Sequence, residues 1–237
     1  MTTARITPAR LLPVPILSAH AALATGAAVP RLGVALSCAL LLLWSFPRGA
    51  GERGRDVFWV IAALVLSMGG DSFLSHRGGR EWFFIAGIAL FFGAHVGYLN
   101  YALRRGRMNW AVLGALGLIY LPYYGFCLWP GIRSPVLALA VLAYLLISCL
   151  AFSAACGLRP PAGAKWLFIS GIGFLVFSDT VISLSEFMRW REWNRLIMPT
   201  YYLSHILITW GVLAGSQSPD TGGITSDPNS ENRRRLS

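Results

Sequence analysis

Two acidic side chains, Asp71 and Asp179, lie deep inside apolar runs of the sequence. A charge in hydrocarbon costs roughly 2.5 kcal/mol or more, so residues of this type at such positions point to chemistry. A carboxylic acid withdrawn from water, with a second carboxyl beside it, is one way to keep a proton donor protonated near neutral pH. The other member of the pair, ionised, can stabilise a cation or take a proton from water. Each aspartate follows a small residue, Gly70 in Leu66-Ser67-Met68-Gly69-Gly70-Asp71 and Ser178 in Phe177-Ser178-Asp179. Small neighbours let another helix or a ligand approach closely. Each sits at the same depth in its run, and each run is followed by one bearing His and Tyr: His95 and Tyr98 in the first case, Tyr201, Tyr202 and His205 in the second. His95 and Tyr98 are one turn apart and share a helix face.

Each of these residues also has a plainer reading. The aspartates and Ser178 can clamp helices together through hydrogen bonds, and the histidines, His20 included, can be bonded within a bundle. Tyr201 and Tyr202 lie near the start of their run and can belong to an interfacial aromatic belt, the default for Trp59, Trp82, Trp110, Trp129, Trp166 and Trp190 near run ends. Asp71, Asp179, His95 and His20 are metal-donor types, but no HExxH or comparable spacing joins them, so neither a metal nor another cofactor is expected. No Gly-x-Ser-x-Gly elbow or phosphate-cradling glycine loop occurs. Cys38, Cys127, Cys149 and Cys156 lie in or beside apolar runs without a Cys-x-x-Cys pair, and read as small hydrophobes.

The elements that must position these groups follow from composition. The chain has 237 residues, 55% hydrophobic and only 13% charged, against about a quarter charged in a soluble domain. Apolar runs divided by charged or Pro/Gly breaks predict an all-α polytopic transmembrane bundle of about eight spans, near 11–29, 32–46, 57–75, 82–103, 110–129, 135–156, 165–186 and 196–214. The connections are too short for a soluble domain. One transmembrane domain over 1–215 is expected, followed by a Ser/Gly/Pro/Asp/Asn-rich, disordered tail over 216–237. Arg5, Arg10 and Ala27-Ala28 frame the first run like a signal peptide, but the run is long for a signal core and is read as a retained span.

The net charge of +10 is carried almost wholly by Arg. No basic patch stands apart from the spans, so nucleic acid is not an expected partner. Segments on the N-terminal side of the membrane, including Arg48, Arg53, Arg55, Arg104, Arg105 and Arg107, are richer in basic residues than those opposite. Both termini are therefore expected in the cytoplasm. The Arg-rich short loops fit a bacterial inner membrane. Matched aspartates followed by His- and Tyr-bearing spans suggest a four-plus-four internal repeat. No subunit number follows from any of these features.

Four stretches together resemble the YhhN-like lysoplasmalogenase family of membrane hydrolases. They are Leu66–Leu74 with its Gly-Asp block, Ala94-His95-Val96-Gly97-Tyr98, Phe177-Ser178-Asp179-Thr180, and the last helix from Leu196 through Tyr201-Tyr202 to His205. The remaining runs match in hydropathy alone. His205 stands where the family usually has Gln, and Pro30-Arg31 where it often has Lys-Pro. The resemblance implies hydrolysis of the vinyl ether bond of a lysoplasmalogen, a lysophospholipid of the bilayer, to a fatty aldehyde and a glycerophospho-alcohol. Vinyl ethers hydrolyse through protonation at carbon followed by attack of water on an oxocarbenium ion. In that role one of Asp71 and Asp179 protonates carbon and the other activates water. His95, Tyr98, Ser178, Tyr201 and Tyr202 bind or orient. Arg80 and Arg195 in the loops can attract the phosphate. The alternative from the residues alone is a proton-coupled transporter or channel, because intramembrane Asp and His also form proton relays.

Overall fold

Residues 13–25, 28–46, 51–159 and 161–216 are described by a computed structural model. Among them the chain is helical, in the order α1 (Pro13–Thr25), α2 (Ala28–Ser45), α3 (Gly51–Ser75), α4 (Glu81–Arg105), α5 (Trp110–Pro122), α6 (Pro135–Cys156), α7 (Ala162–Phe187) and α8 (Asn194–Ser216). After Pro122, α5 runs on as a π-helical stretch, Tyr123–Leu128, and a 3-10 turn, Trp129–Gly131. Local chemistry sets several ends. The Asn109 side chain accepts from the Val112 amide at 3.2 Å, and Ser134 accepts from Leu137 at 3.4 Å just ahead of Pro135, which has no amide hydrogen to leave unsatisfied.

Six helices are long and apolar enough to cross a membrane: Gly54–Ser75, Glu81–Arg105, Trp110–Gly131, Pro135–Cys156, Ala162–Phe187 and Asn194–Ser216. The apolar stretches Pro13–Thr25 and Leu32–Ser45 are shorter. At 1.5 Å per residue the first reaches only about 20 Å, less than the ~30 Å hydrocarbon core. Among the described residues eight helices are thus present, six of them with the length and composition of spans. Pro30 and Arg31, read from sequence as a break, fall in the first turn of α2, where proline is tolerated. The signal-like residues Arg5 and Arg10 and the tail beyond Ser216 lie outside the described residues.

Two tightly packed hairpins, α3–α4 and α7–α8, form the frame. Glycine permits their close approach. A Cβ on Gly97 would lie 2.6 Å from the Trp59 carbonyl oxygen, and one on Gly171 2.8 Å from the Ile208 amide. Such small-residue contacts replace the hydrophobic driving force that lipid does not supply between helices. Helix α6 packs on α4 and α7, and α2 lies against α1, α3 and α8.

Both ends of the bundle are tied. At one end the α4–α5 and α6–α7 connections pair, Arg107 N donating to Gly157 O at 3.1 Å and Arg159 N to Arg105 O at 3.2 Å, with Arg105 on Asp56 at 3.3 Å. At the other end the Arg77 guanidinium holds Glu186 through two bonds of 2.9 and 2.8 Å, joining the α3–α4 turn to the end of α7. The hydrogen bonds that Arg77 donates to Glu186 raise its pKa above the ordinary value.

Helix α5 is peripheral, with no fully buried residue. Its backbone packs on α6, and α7 is met chiefly by the turns after Pro122. There Gly131 is pressed against the Phe187 carbonyl so closely that a side chain would have no room. The body of α5 consequently stands away from α7.

Candidate active site

The α3–α4 and α7–α8 hairpins bring Asp71 and Asp179 to a common cavity of about 190 Å³, with Ser75, Phe91, Ile182 and Tyr201 among its walls. Because α3 and α7 end on the same side of the bundle, both aspartates lie in the half nearer the Arg77–Glu186 tie. The matched depth seen in sequence is therefore matched height in the fold.

Each carboxyl is held by a phenol from a different helix. Tyr201 Oη of α8 donates to Asp71 Oδ2 at 2.8 Å, and Tyr144 Oη of α6 donates to Asp179 Oδ2 at 2.6 Å. A phenol facing a carboxyl oxygen fixes the carboxyl rotamer and stabilises negative charge when the group is ionised. Tyr201 is held by packing, with its ring edge-on to Phe91 and 4.4 Å from the ring of His205.

His95 approaches Asp179 from α4. Its Nδ1 donates to the Phe91 carbonyl at 3.1 Å; since a carbonyl only accepts, the proton is on Nδ1. In a neutral ring Nε2 is then the acceptor. It is fully buried, has no hydrogen-bond partner, and faces Asp179 Oδ2 at 3.8 Å. The hairpins are thus crosswise: the aspartate of α3 is held by a tyrosine of α8, and that of α7 is faced by a histidine of α4.

The remaining residues singled out in the sequence separate into two groups. Tyr202 lines a smaller cavity of about 30 Å³ beside Asp71, together with Ser72, Ser75, His76 and Met198. Tyr98 is fully buried with its ring edge-on to that of His95, so it backs the histidine. Ser178 points elsewhere: its hydroxyl donates to the Ile197 carbonyl at 3.1 Å and joins α7 to α8. His205 is buried next to Ser204, its Nδ1 3.2 Å from the hydroxyl. His20 is exposed on α1. Among the described residues no group of three or more His, Cys, Asp and Glu side chains gathers closely enough to hold a metal ion. The cysteines are free, with Cys38 and Cys149 buried.

The two arginines expected in loops also divide. Arg80 precedes α4 and lies over the ring of Phe83 at 4.0 Å, whereas Arg195 is not in a loop but exposed in the first turn of α8. Tyr144 was not singled out in the sequence, nor were Tyr120 and Tyr123, which bond Thr180 at 3.0 Å and Ser183 at 2.7 Å on α7. The available signal was weak: Tyr144 is one phenol in the otherwise apolar stretch Pro135–Leu146, and an aromatic in such a stretch is normally core.

Comparison with known proteins agrees with this arrangement in reach. The sequence model of the YhhN family matches residues 31–212, from α2 to near the end of α8. Lysoplasmalogenase TMEM86B of Sus scrofa is 32% identical over 192 residues, covering 79% of this chain and 77% of that protein. Proteins named lysoplasmalogenase from Mycobacterium bovis and Mycobacterium tuberculosis are each 26% identical over 205 residues, covering 81% of this chain and 75% of theirs. No solved structure matches.

Proposed function

This chain belongs to the YhhN family, and we propose from that premise that it is a membrane hydrolase cleaving the vinyl ether bond of a lysoplasmalogen. The products are a fatty aldehyde and a glycerophospho-alcohol. The observation that carries the reading is the cavity shared by Asp71 and Asp179 within a bundle of apolar helices.

The chemistry needs an acid able to protonate carbon and a base able to activate water, on opposite sides of one bond. Two carboxyl groups on one cavity, each oriented by a phenol, have the required composition. Water exclusion strengthens both interactions, since charges act over a lower dielectric. Tyr201 orients Asp71, Tyr144 and His95 orient Asp179, and Tyr202 borders the polar side. Tyr98 acts through His95, and Ser178 through the α7–α8 contact. The substrate is a lysophospholipid drawn from the bilayer. Arg195, exposed in the first turn of α8, is the arginine assigned to phosphate attraction, whereas Arg80 is engaged with Phe83.

The membrane arrangement belongs to the same proposal. With α1 and α2 also inserted, eight helices cross, both termini are cytoplasmic, and the site opens toward the outer face of a bacterial inner membrane. The crosswise hairpins fit a four-plus-four repeat.

Aldehyde release from lysoplasmenylethanolamine by the purified protein in detergent tests the reading. Wild type, Asp71→Asn and Asp179→Asn are compared after each elutes as a monodisperse species. Release by wild type and loss in both variants is expected. A folded wild type that releases no aldehyde from ethanolamine or choline substrates overturns the proposal.

A further inference from the structure

Asp179 borders three spaces, one of them a pocket of about 60 Å³ among Leu74, Phe84, Ile88 and Phe187. Toward the Arg77–Glu186 end it lines the cavity with Asp71, Ser75 and Tyr201. On its other side it closes one end of an apolar groove between α5, α6 and α7, walled by Val141, Leu145, Val176 and the ring of Tyr120. Past Tyr120 and Val176 the groove continues to Leu116, Phe152 and Gly173. The two parts measure about 50 Å³ and about 240 Å³. From Ile182 in the aspartate cavity to Gly173, α7 is continuous helix, a run of about 14 Å at 1.5 Å per residue.

The groove exists because α5 stands off α7. Tyr120 and Tyr123 span the gap by bonding Thr180 and Ser183, which spaces the helices without filling the space below. At the far part Gly173 keeps the width, since a Cβ there would come within 3.2 Å of the Phe152 ring. The far part is bordered by α5, which buries no residue of its own and leaves Leu118 and Ile119 exposed to the surroundings.

Resting on the hydrolase reading above, we infer that this groove is the hydrocarbon-chain site of the substrate, and that it makes Asp179 the acid that protonates carbon. A lysolipid carries a polar head, one bond of interest, then a single chain, and the cavity holds both carboxyls while the far part of the groove holds none. The head lies in the cavity with Asp71, Ser75 and Tyr201, at the end of the bundle where α3 stops. The chain passes Asp179 and runs between α5 and α7 toward the membrane interior.

This placement separates the carboxyl roles, because the two vinyl carbons differ. The carbon that takes the proton is on the chain side, next to Asp179. The carbon attacked by water carries the ether oxygen, on the side of Asp71. The Asp179 carboxylic acid gives its proton to the chain-side carbon and the double bond becomes an oxocarbenium ion. Water adds to the oxygen-bearing carbon and loses a proton to the Asp71 carboxylate, forming a hemiacetal. Collapse returns the hydroxyl proton to Asp179, while Asp71 protonates the departing glyceryl oxygen. One water is consumed and both aspartates are restored.

A non-hydrolysable 1-O-alkyl lysophosphatidylethanolamine with a diazirine at the chain end tests the groove in the wild-type protein in detergent. Photolabelling at Leu116, Phe152 or neighbours on α5–α7, competed by unlabelled lipid, is expected. Labelling on other helices, or none that competes, overturns the chain site. The result does not depend on turnover, so an inactive protein that still labels in the groove removes the hydrolase reading and leaves the chain site standing. Gly173→Leu should lower the ratio of kcat/KM for a hexadecenyl over a hexenyl substrate about tenfold; an unchanged ratio in a folded variant counts against the groove. For the roles, turnover is run in D2O. Asp71→Asn, which retains the acid, should place deuterium in the chain-side vinyl position of recovered substrate, and Asp179→Asn should not. The reverse pattern overturns the assignment.

Discussion

Asp71 and Asp179 are the same residue at the same height in two similar hairpins, yet their surroundings differ. Asp71 looks toward the end of the bundle, with Ser72, Ser75, His76 and Tyr202 around its smaller cavity. Asp179 also lines the groove between α5, α6 and α7 and has the buried Nε2 of His95 at 3.8 Å. The hairpins are alike; what differs is the third helix. Tyr144 and the groove come from α5 and α6, which border α7 and leave α3 to face α2 and α8. Two aspartates at matched height thus meet unequal neighbours.

The comparison can be broken or sharpened by substitution. The largest expected effect is Asp179→Asn, which should lower aldehyde release by about 10³-fold, within the range for loss of a positioned acid. Asp71→Asn should cost about 10²-fold by the same measure. Equal losses would remove the asymmetry between them. Smaller effects come from the phenols. Tyr144→Phe and Tyr201→Phe should each lower kcat about tenfold with little change in KM, since each orients a group acting in the transition state. Double variants test the pairing. Tyr144→Phe should add nothing to Asp179→Asn, and Tyr201→Phe nothing to Asp71→Asn, whereas the crossed combinations should multiply. Multiplication within a pair would mean that the phenol acts elsewhere.

The smallest effect concerns the tie above the site. Arg77 and Glu186 are partly exposed, with side-chain accessibilities of 36% and 29%. Such a pair contributes about 0.5 kcal/mol. Arg77→Gln should lower the melting temperature by a few degrees or less, read by thermal unfolding in detergent, and leave kcat within about twofold. A large loss of kcat would make the tie part of the site.

Legibility in the sequence followed the cost of burial. Asp71 and Asp179 stood out because a carboxyl in an apolar run has few uses. His95 and Tyr201 stood out by lying one helix further on. Ser178 shared the motif with Asp179, but adjacent residues on a helix point about 100° apart, and its hydroxyl meets Ile197 on α8 instead of the cavity. Tyr144, Tyr120 and Tyr123 carried no such cost, because a phenol in an apolar helix satisfies its hydroxyl with one local bond. The 13-residue α1 likewise resembled the other runs in hydropathy, while its length emerged only with its helix ends in view.

What the sequence determined by itself is the helical membrane class, the two costly carboxyls and their family. These depend on composition and on residues that hydrocarbon does not tolerate without a reason. The tertiary structure alone decided that the aspartates share one cavity, which phenol holds each, and that α5 stands away from α7. Those are properties of packing between distant segments. Helix periodicity sets which residues share a face, but the partner of that face is chosen by close contact at Gly97, Gly171 and Gly131, where the absence of a side chain lets one backbone rest against another.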